Sequence, residues 1–146
     1  MRRVNSDERI DLLRGVWLFE RCTRKELAAL ARMATPLTVE QGHVLAREGT
    51  AGEEFIVVVE GVASATIRTE ELAQIGPGSF FGELALLDGG PRTATVRAQT
   101  PMLVLVLSRS EFDSLVDRAI PSVGRRMLVT LAARLRDVDA RVANLP

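Results

Sequence analysis

The residues with the most distinctive chemistry form one stretch: Phe81-Gly82-Glu83-Leu84-Ala85-Leu86-Leu87-Asp88-Gly89-Gly90-Pro91-Arg92-Thr93-Ala94-Thr95-Val96. Gly82 lets the backbone approach a neighbour closely. Glu83 to Leu87 is long enough for one or two helical turns, whose N-terminus presents free N–H groups to an anion. Gly89, Gly90 and Pro91 reverse the chain, and Arg92 is expected to enter the next strand. A helical N-terminus and an arginine joined by a tight loop can converge on one phosphate, because the guanidinium fork matches two phosphate oxygens. A carboxylate beside that phosphate would repel it, but it can accept a hydrogen bond from a ribose hydroxyl. The stretch therefore asks for a ligand with one phosphate and a sugar hydroxyl close together. Taken singly, each residue also has a plainer role. Glu83 would serve as a first-turn acid on the helix dipole, and Arg92 as a solvated surface cation or as the partner of Glu83.

The elements that must position this stretch separate by periodicity. Residues 6–34 read as helical: Thr23 and Glu26 make a capping-box pattern, Leu27, Leu30, Ala31 and Ala34 share a face, and Pro36 stops the helix. From Leu37 to Leu107 the chain turns to short runs rich in Val, Ile and Thr, punctuated by glycines. These runs are Pro36–Glu40, His43–Arg47, Phe55–Glu60, Val62–Arg68, Leu72–Ile75, Thr93–Ala98 and Met102–Leu107. Short strands with frequent turns predict an antiparallel roll or sandwich. Ser108 and Glu111 repeat the capping-box pattern, and a further helix starts at Pro121-Ser122. It places Leu128, Leu131, Leu135, Val138, Val142 and Leu145 at heptad-like spacing. That seam fits either a helix packed on its own roll or a pair of helices from two copies.

The stretch from Phe81 to Val96 resembles the phosphate-binding cassette of the cyclic nucleotide-binding domain family. That family includes bacterial catabolite activator proteins, regulatory subunits of cAMP-dependent protein kinase and cyclic nucleotide-gated channels. The likeness runs through Phe81-Gly82-Glu83-Leu84-Ala85-Leu86 and Pro91-Arg92-Thr93-Ala94-Thr95-Val96, and extends to the order Gly42…Gly49…Gly61…Gly76…Gly82. Arg126 to Leu145 is similar to the central helix of the activator proteins. The resemblance implies an α+β fold: an antiparallel, jelly-roll-like β-roll (a double-stranded β-helix) flanked by N-terminal helices and a long C-terminal helix. The implied divisions are residues 1–35, a roll over 36–107 with its cassette at 81–96, and C-terminal helices over 108–146. By the same likeness, Gly82 and Ala85 offer backbone N–H groups to the ligand and Glu83 accepts from the ribose 2′-hydroxyl. Arg92 binds the cyclic phosphate, Thr93 adds an N–H, and Leu84 belongs to the same ligand-binding turn. Leu72, Ala73 and Ile75 are expected near the base and sugar, with Arg134, Val138 and Asp139 facing the base from the long helix. Val138 and Asp139 stand where the activator proteins carry hydroxyl residues. A hydroxyl at the position of Thr93 occurs in members preferring cAMP and in members preferring cGMP, so both ligands stay open.

Composition bounds the rest. The chain has 146 residues, 47% hydrophobic and 26% charged, with a formal net charge of zero, one cysteine and one histidine. That is one globular domain with no general attraction to nucleic acid or acidic membranes. Cys22 cannot form an intrachain disulfide, and a lone thiol fits a reducing cytoplasm. His43 has no cluster of ligating neighbours in sequence, so no metal, cofactor or catalytic residue is expected. The longest apolar run, Met102 to Leu107, is far short of the roughly 20 residues of a membrane helix. Arg125, Arg126, Arg134, Arg136 and Arg141 read as a solvated helical face. As the sequence stops at Pro146, no helix-turn-helix domain and no direct DNA binding are expected. The resulting expectation is a cytoplasmic sensor, not an enzyme, that binds cAMP or cGMP, moves its C-terminal helices and pairs as a homodimer. A ligand-independent β-roll scaffold, or one domain of a larger regulator, kinase or channel, is the alternative.

Overall fold

The computed structural model describes residues 5–82, 86, 89–115, 117 and 121–143, with the backbone alone at 6, 121, 134 and 137–143. Its order is α1 (Ser6–Arg14), a 3₁₀ turn (Trp17–Phe19), α2 (Arg24–Met33), eight strands, α3 (Arg109–Ser114) and α4 (Pro121–Ala143). The strands are β1 (Thr35–Val39), β2 (Val44–Ala46), β3 (Glu54–Glu60), β4 (Ala63–Ile67), β5 (Glu70–Ile75), β6 (Phe80–Phe81), β7 (Thr95–Ala98) and β8 (Met102–Ser108). They form two four-stranded sheets, β1-β8-β3-β6 and β2-β7-β4-β5, with antiparallel pairing throughout. This is the α+β roll with flanking helices that the sequence predicts.

Local chemistry sets the helix starts. Thr23 Oγ1 accepts from the Glu26 N–H at 3.1 Å while Glu26 Oε1 accepts from the Thr23 N–H at 2.9 Å. Ser108 and Glu111 make the same reciprocal pair at 3.3 and 2.8 Å. Pro36 lies within β1, beyond the end of α2. It is tolerated there because β1 is an edge strand and a missing N–H on the open side breaks no ladder bond.

The roll owes its rigidity to β3 and β8, which are apolar on both faces. Phe55, Val57, Leu105 and Leu107 point to the helices and join Leu13, Phe19, Leu27, Leu30, Phe112, Val123 and Met127 in one cluster. Ile56, Val58, Val104 and Val106 point the other way, between the sheets, with Val39, Ala63, Phe81, Val96 and Ala98. A strand buried on both faces reads as a continuous apolar run, which is the pattern at Met102–Leu107. The Phe55 ring centroid lies 5.4 Å from that of Phe80 and 5.0 Å from that of Phe112, binding β6 and α3 to the centre of the roll.

Several features differ from the expectation. β6 is only Phe80–Phe81, too short to show a period, yet it sends one ring to each core. The β4–β5 hairpin turns at Arg68 (φ 51°) and Thr69 (φ 70°), without the glycine or asparagine that usually marks such a turn, so β5 starts earlier than the sequence suggests. On α4 the apolar seam divides. Val123 and Met127 are buried and Leu131 packs partly against the helical cluster, whereas Leu128 and Leu135 are 68% and 62% exposed. Arg126 is not part of a solvated face. Its guanidinium lies 4.5 Å from the Trp17 ring centroid, pairs with Glu20 at 3.2 Å and donates to the Trp17 carbonyl, fixing the start of α4 to the 3₁₀ turn. Among the described residues no helix is long and apolar enough to cross a membrane.

Ser108 ends β8 and caps α3, so its hydroxyl sets the angle between them. Replacing Ser108 by Ala is expected to lower stability by about 1 kcal/mol, and Ser108→Gly by only a few tenths. Urea unfolding of the three proteins checks the order.

Candidate functional site

Between the second sheet and the segment from β6 to β7 lies a cavity of about 310 Å³. Ala46, Ala65, Ala73 and Val96 form its apolar wall, and Ile75, Phe80 and Phe81 narrow one end. Gln74, Ser79, Gly82, Arg92 and Thr93 bring polar groups to it. A concave, mostly apolar space of this size with a few convergent polar groups suits one small ligand.

Arg92 gives the cavity its charge. It does not enter β7, which begins at Thr95; it is held outside any strand by its backbone. The Arg92 N–H donates to the Thr50 carbonyl at 2.8 Å and its carbonyl accepts from the Gly49 N–H at 2.9 Å. Ala51 and Pro91 form a bridge beside them. The loop 49–54 is therefore the second support of the cassette arginine. Only 8% of Arg92 is exposed, and its Nη1 has no hydrogen-bond partner among the described residues. Burial pulls the guanidinium pKa down from its usual value, and the nearby carboxylates of Glu54 and then Glu53 pull it back up. A buried cation with an open donor is costly unless an anion meets it.

Gly82 is the other half of the arrangement. Its φ is +96°, and a Cβ at this position would lie 2.6 Å from Arg92 Nη1 and 2.6 Å from the Glu54 carbonyl oxygen. The close approach anticipated at this glycine is thus made, within the protein, by the guanidinium on one side and the start of β3 on the other.

Of the residues singled out in the sequence, Gly82, Arg92, Thr93, Ala73 and Ile75 line this one cavity. Leu72 does not: it is 56% exposed and absent from the lining. Successive side chains of β5 alternate faces, which sets Leu72 opposite Ala73, and the register also shifts there: Ala65 pairs with Ala73 and Thr66 with Glu71, so that Leu72 is the extra residue. Glu83, Leu84 and Ala85 lie outside the described residues, as do the side chains of Arg134, Val138 and Asp139 on α4.

Sequence reasoning missed Glu53 and Glu54, which act on Arg92 from the start of β3, and Gln74 and Ser79 on the cavity wall. It also missed Arg109, whose guanidinium reaches Glu53, Gly52 and Leu86. Gly52-Glu53-Glu54 is an acidic pair directly before an apolar strand. Nothing local ties it to an arginine some forty positions later. Cys22 is buried in the helical cluster, and burial raises its thiol pKa, which keeps it inert.

The likeness of the chain to known proteins bears on this site. The family model described as cyclic nucleotide-binding domain matches residues 36–119. A cyclic nucleotide-gated potassium channel of Mesorhizobium japonicum is 38% identical over 104 residues, covering 71% of this chain and 29% of that protein. A CRP-like cAMP-activated global transcriptional regulator of Mycobacterium tuberculosis is 28% identical over 141 residues, covering 92% of this chain and 62% of that one. The catabolite activator protein of Thermus thermophilus superimposes with a TM-score of 0.79 at 29% identity, over 86% of this chain and 61% of its own. The chain thus spans less than two thirds of each of these proteins.

Replacing Gly82 by Ala is expected to push Arg92 Nη1 out of its place and to strain the start of β3, since the Glu54 carbonyl is backbone and cannot swing aside. With the positive φ, the loss should be about 2 kcal/mol. Thermal unfolding of Gly82→Ala against the natural chain checks it.

Proposed function

The chain belongs to the cyclic nucleotide-binding domain family, and on that premise we propose that it binds cAMP, with cGMP as the competing ligand, and relays binding through α4. The observation that carries the proposal is Arg92, which lines the cavity beside Gly82 while its buried Nη1 has no partner among the described residues. A cyclic phosphate there supplies two oxygens to the guanidinium fork and offsets the desolvation of the cation. In this reading Gly82 and Ala85 donate backbone N–H groups, and Glu83 accepts from the 2′-hydroxyl. Thr93 adds a donor at the phosphate, and Leu84 packs within the same turn. Ala73 and Ile75 bound the base and sugar side of the cavity, and the residues of α4 at 134 and 138 cover the base. Residues 36–107 are then the binding unit and 108–146 the relay.

The cAMP assignment is supported by the name of the Mycobacterium tuberculosis regulator, described as cAMP-activated. The exposed Leu128 and Leu135, one heptad apart, support a second role for α4. With Val123 and Met127 holding one face to the roll, the other is free to pair with a second copy. A signalling role without chemistry, in a cytoplasmic setting, completes the reading.

Calorimetric titration with cAMP and cGMP tests the ligand. The natural chain should bind at least one of them. Arg92→Ala should weaken it by tenfold or more, as expected for losing a charge-assisted pair of about 1.5–3 kcal/mol. Arg92→Lys should recover little, because an ammonium cannot form the fork. Unchanged affinity in Arg92→Ala removes the phosphate from this position.

Sedimentation tests the pairing. The natural chain should be a dimer at tens of micromolar, and Leu135→Asp, which sets a carboxylate in the seam, largely a monomer that still binds nucleotide. A monomeric natural chain would leave α4 as a lid on its own roll.

A further inference from the structure

Arg109 stands at the first turn of α3, outside the cavity, and makes three contacts to two separate segments. Its Nη1 donates to the Leu86 carbonyl at 3.3 Å, its Nη2 to the Gly52 carbonyl at 3.1 Å, and its Nε to Glu53 Oε2 at 3.3 Å. Leu86 belongs to the cassette, and its side chain is buried in the helical cluster. Gly52 and Glu53 belong to the loop that holds the Arg92 backbone through Gly49 and Thr50. One guanidinium therefore spans both supports of the phosphate position.

The third contact matters for charge. Glu53 and Glu54 line a second cavity, of about 470 Å³, together with Arg92 and Ser108. Glu53 thus faces two cations, Arg92 and Arg109. A carboxylate that turned fully to Arg92 would take the donors a phosphate needs. We propose that Arg109 is a positioning residue: it ties the cassette at Leu86 to the loop 49–54 and engages Glu53, so that Arg92 stays available to the ligand. This rests on the ligand reading given above.

Side-chain exposure in the Arg109–Glu53 pair is 39% and 67%. Such a pair adds little to stability by itself, which separates positioning from folding. The test uses four proteins: the natural chain, Arg109→Gln, Glu53→Gln and the double substitution. Each is titrated with cAMP and melted without nucleotide. Arg109→Gln should weaken cAMP binding by about tenfold, the size of coupling expected between groups in one charge network. Its ligand-free melting temperature should shift by only a few degrees. In the Glu53→Gln background the same substitution should cost markedly less affinity, because the competing carboxylate is gone. Equal affinity of Arg109→Gln and the natural chain overturns the proposal. So does an equal loss in both backgrounds, which would make Arg109 a purely structural tie. Should Arg109→Gln not fold, Arg109→Lys carries the same comparison, since a single ammonium cannot hold three acceptors. A natural chain that binds neither cAMP nor cGMP overturns the ligand reading, and this inference with it; a natural chain that binds, with Arg109→Gln unchanged, overturns the inference alone.

Discussion

A guanidinium held out of water, with one donor unmatched among the described residues, is the constraint on which the cavity depends. Arg92 is buried beside a glycine that has no room for a side chain, and its backbone is bonded on both sides to Gly49 and Thr50. Placing a cation there is unfavourable, because burial strips it of water and pulls its pKa down. The nearby carboxylates of Glu54 and Glu53 offset part of the penalty without bonding to Nη1. The site is thus pre-organised: the charge is fixed and its desolvation already incurred before an anion arrives, so less ordering remains to oppose binding.

Holding such a group needs a frame that does not relax around it. β3 and β8 supply it, because both are apolar on both faces and lock the helices to one side and the second sheet to the other. Glu54, whose carbonyl meets Gly82, is the first residue of β3, and Phe80 and Phe81, paired with that strand, lead directly into Gly82. At the C-terminal end, α4 is fixed by Val123, Met127 and the Arg126 contact with Trp17 and Glu20, while Leu128 and Leu135 stay exposed. One helix therefore touches the rigid frame while part of its apolar edge stays exposed.

Much of this was legible in the sequence where the cause is local. The two capping boxes and the apolar runs of β3 and β8 depend on neighbours within a few positions, and periodicity or residue type reveals them. Features made by distant contacts were not legible. The bulge at Leu72 depends on the register between β4 and β5. The burial of Arg126 depends on Trp17, more than a hundred residues earlier. The partners of Arg92 come from the loop 49–54, whose small and acidic residues look like an ordinary turn. In each case the amino acid is unremarkable and its place in the fold makes it matter.

The central claim is that Arg92 is kept at a cost to the ligand-free protein for the sake of an anionic ligand. Thermal melting of the natural chain and Arg92→Met, with and without saturating cAMP, tests it most directly. Methionine fills similar space without charge, so the ligand-free variant should melt at or above the natural chain. With cAMP the order should reverse, because the weakened site of the variant gains less from binding to the folded state than the natural chain does. An Arg92→Met chain that melts well below the natural one without nucleotide, or that cAMP stabilises equally, would contradict the account.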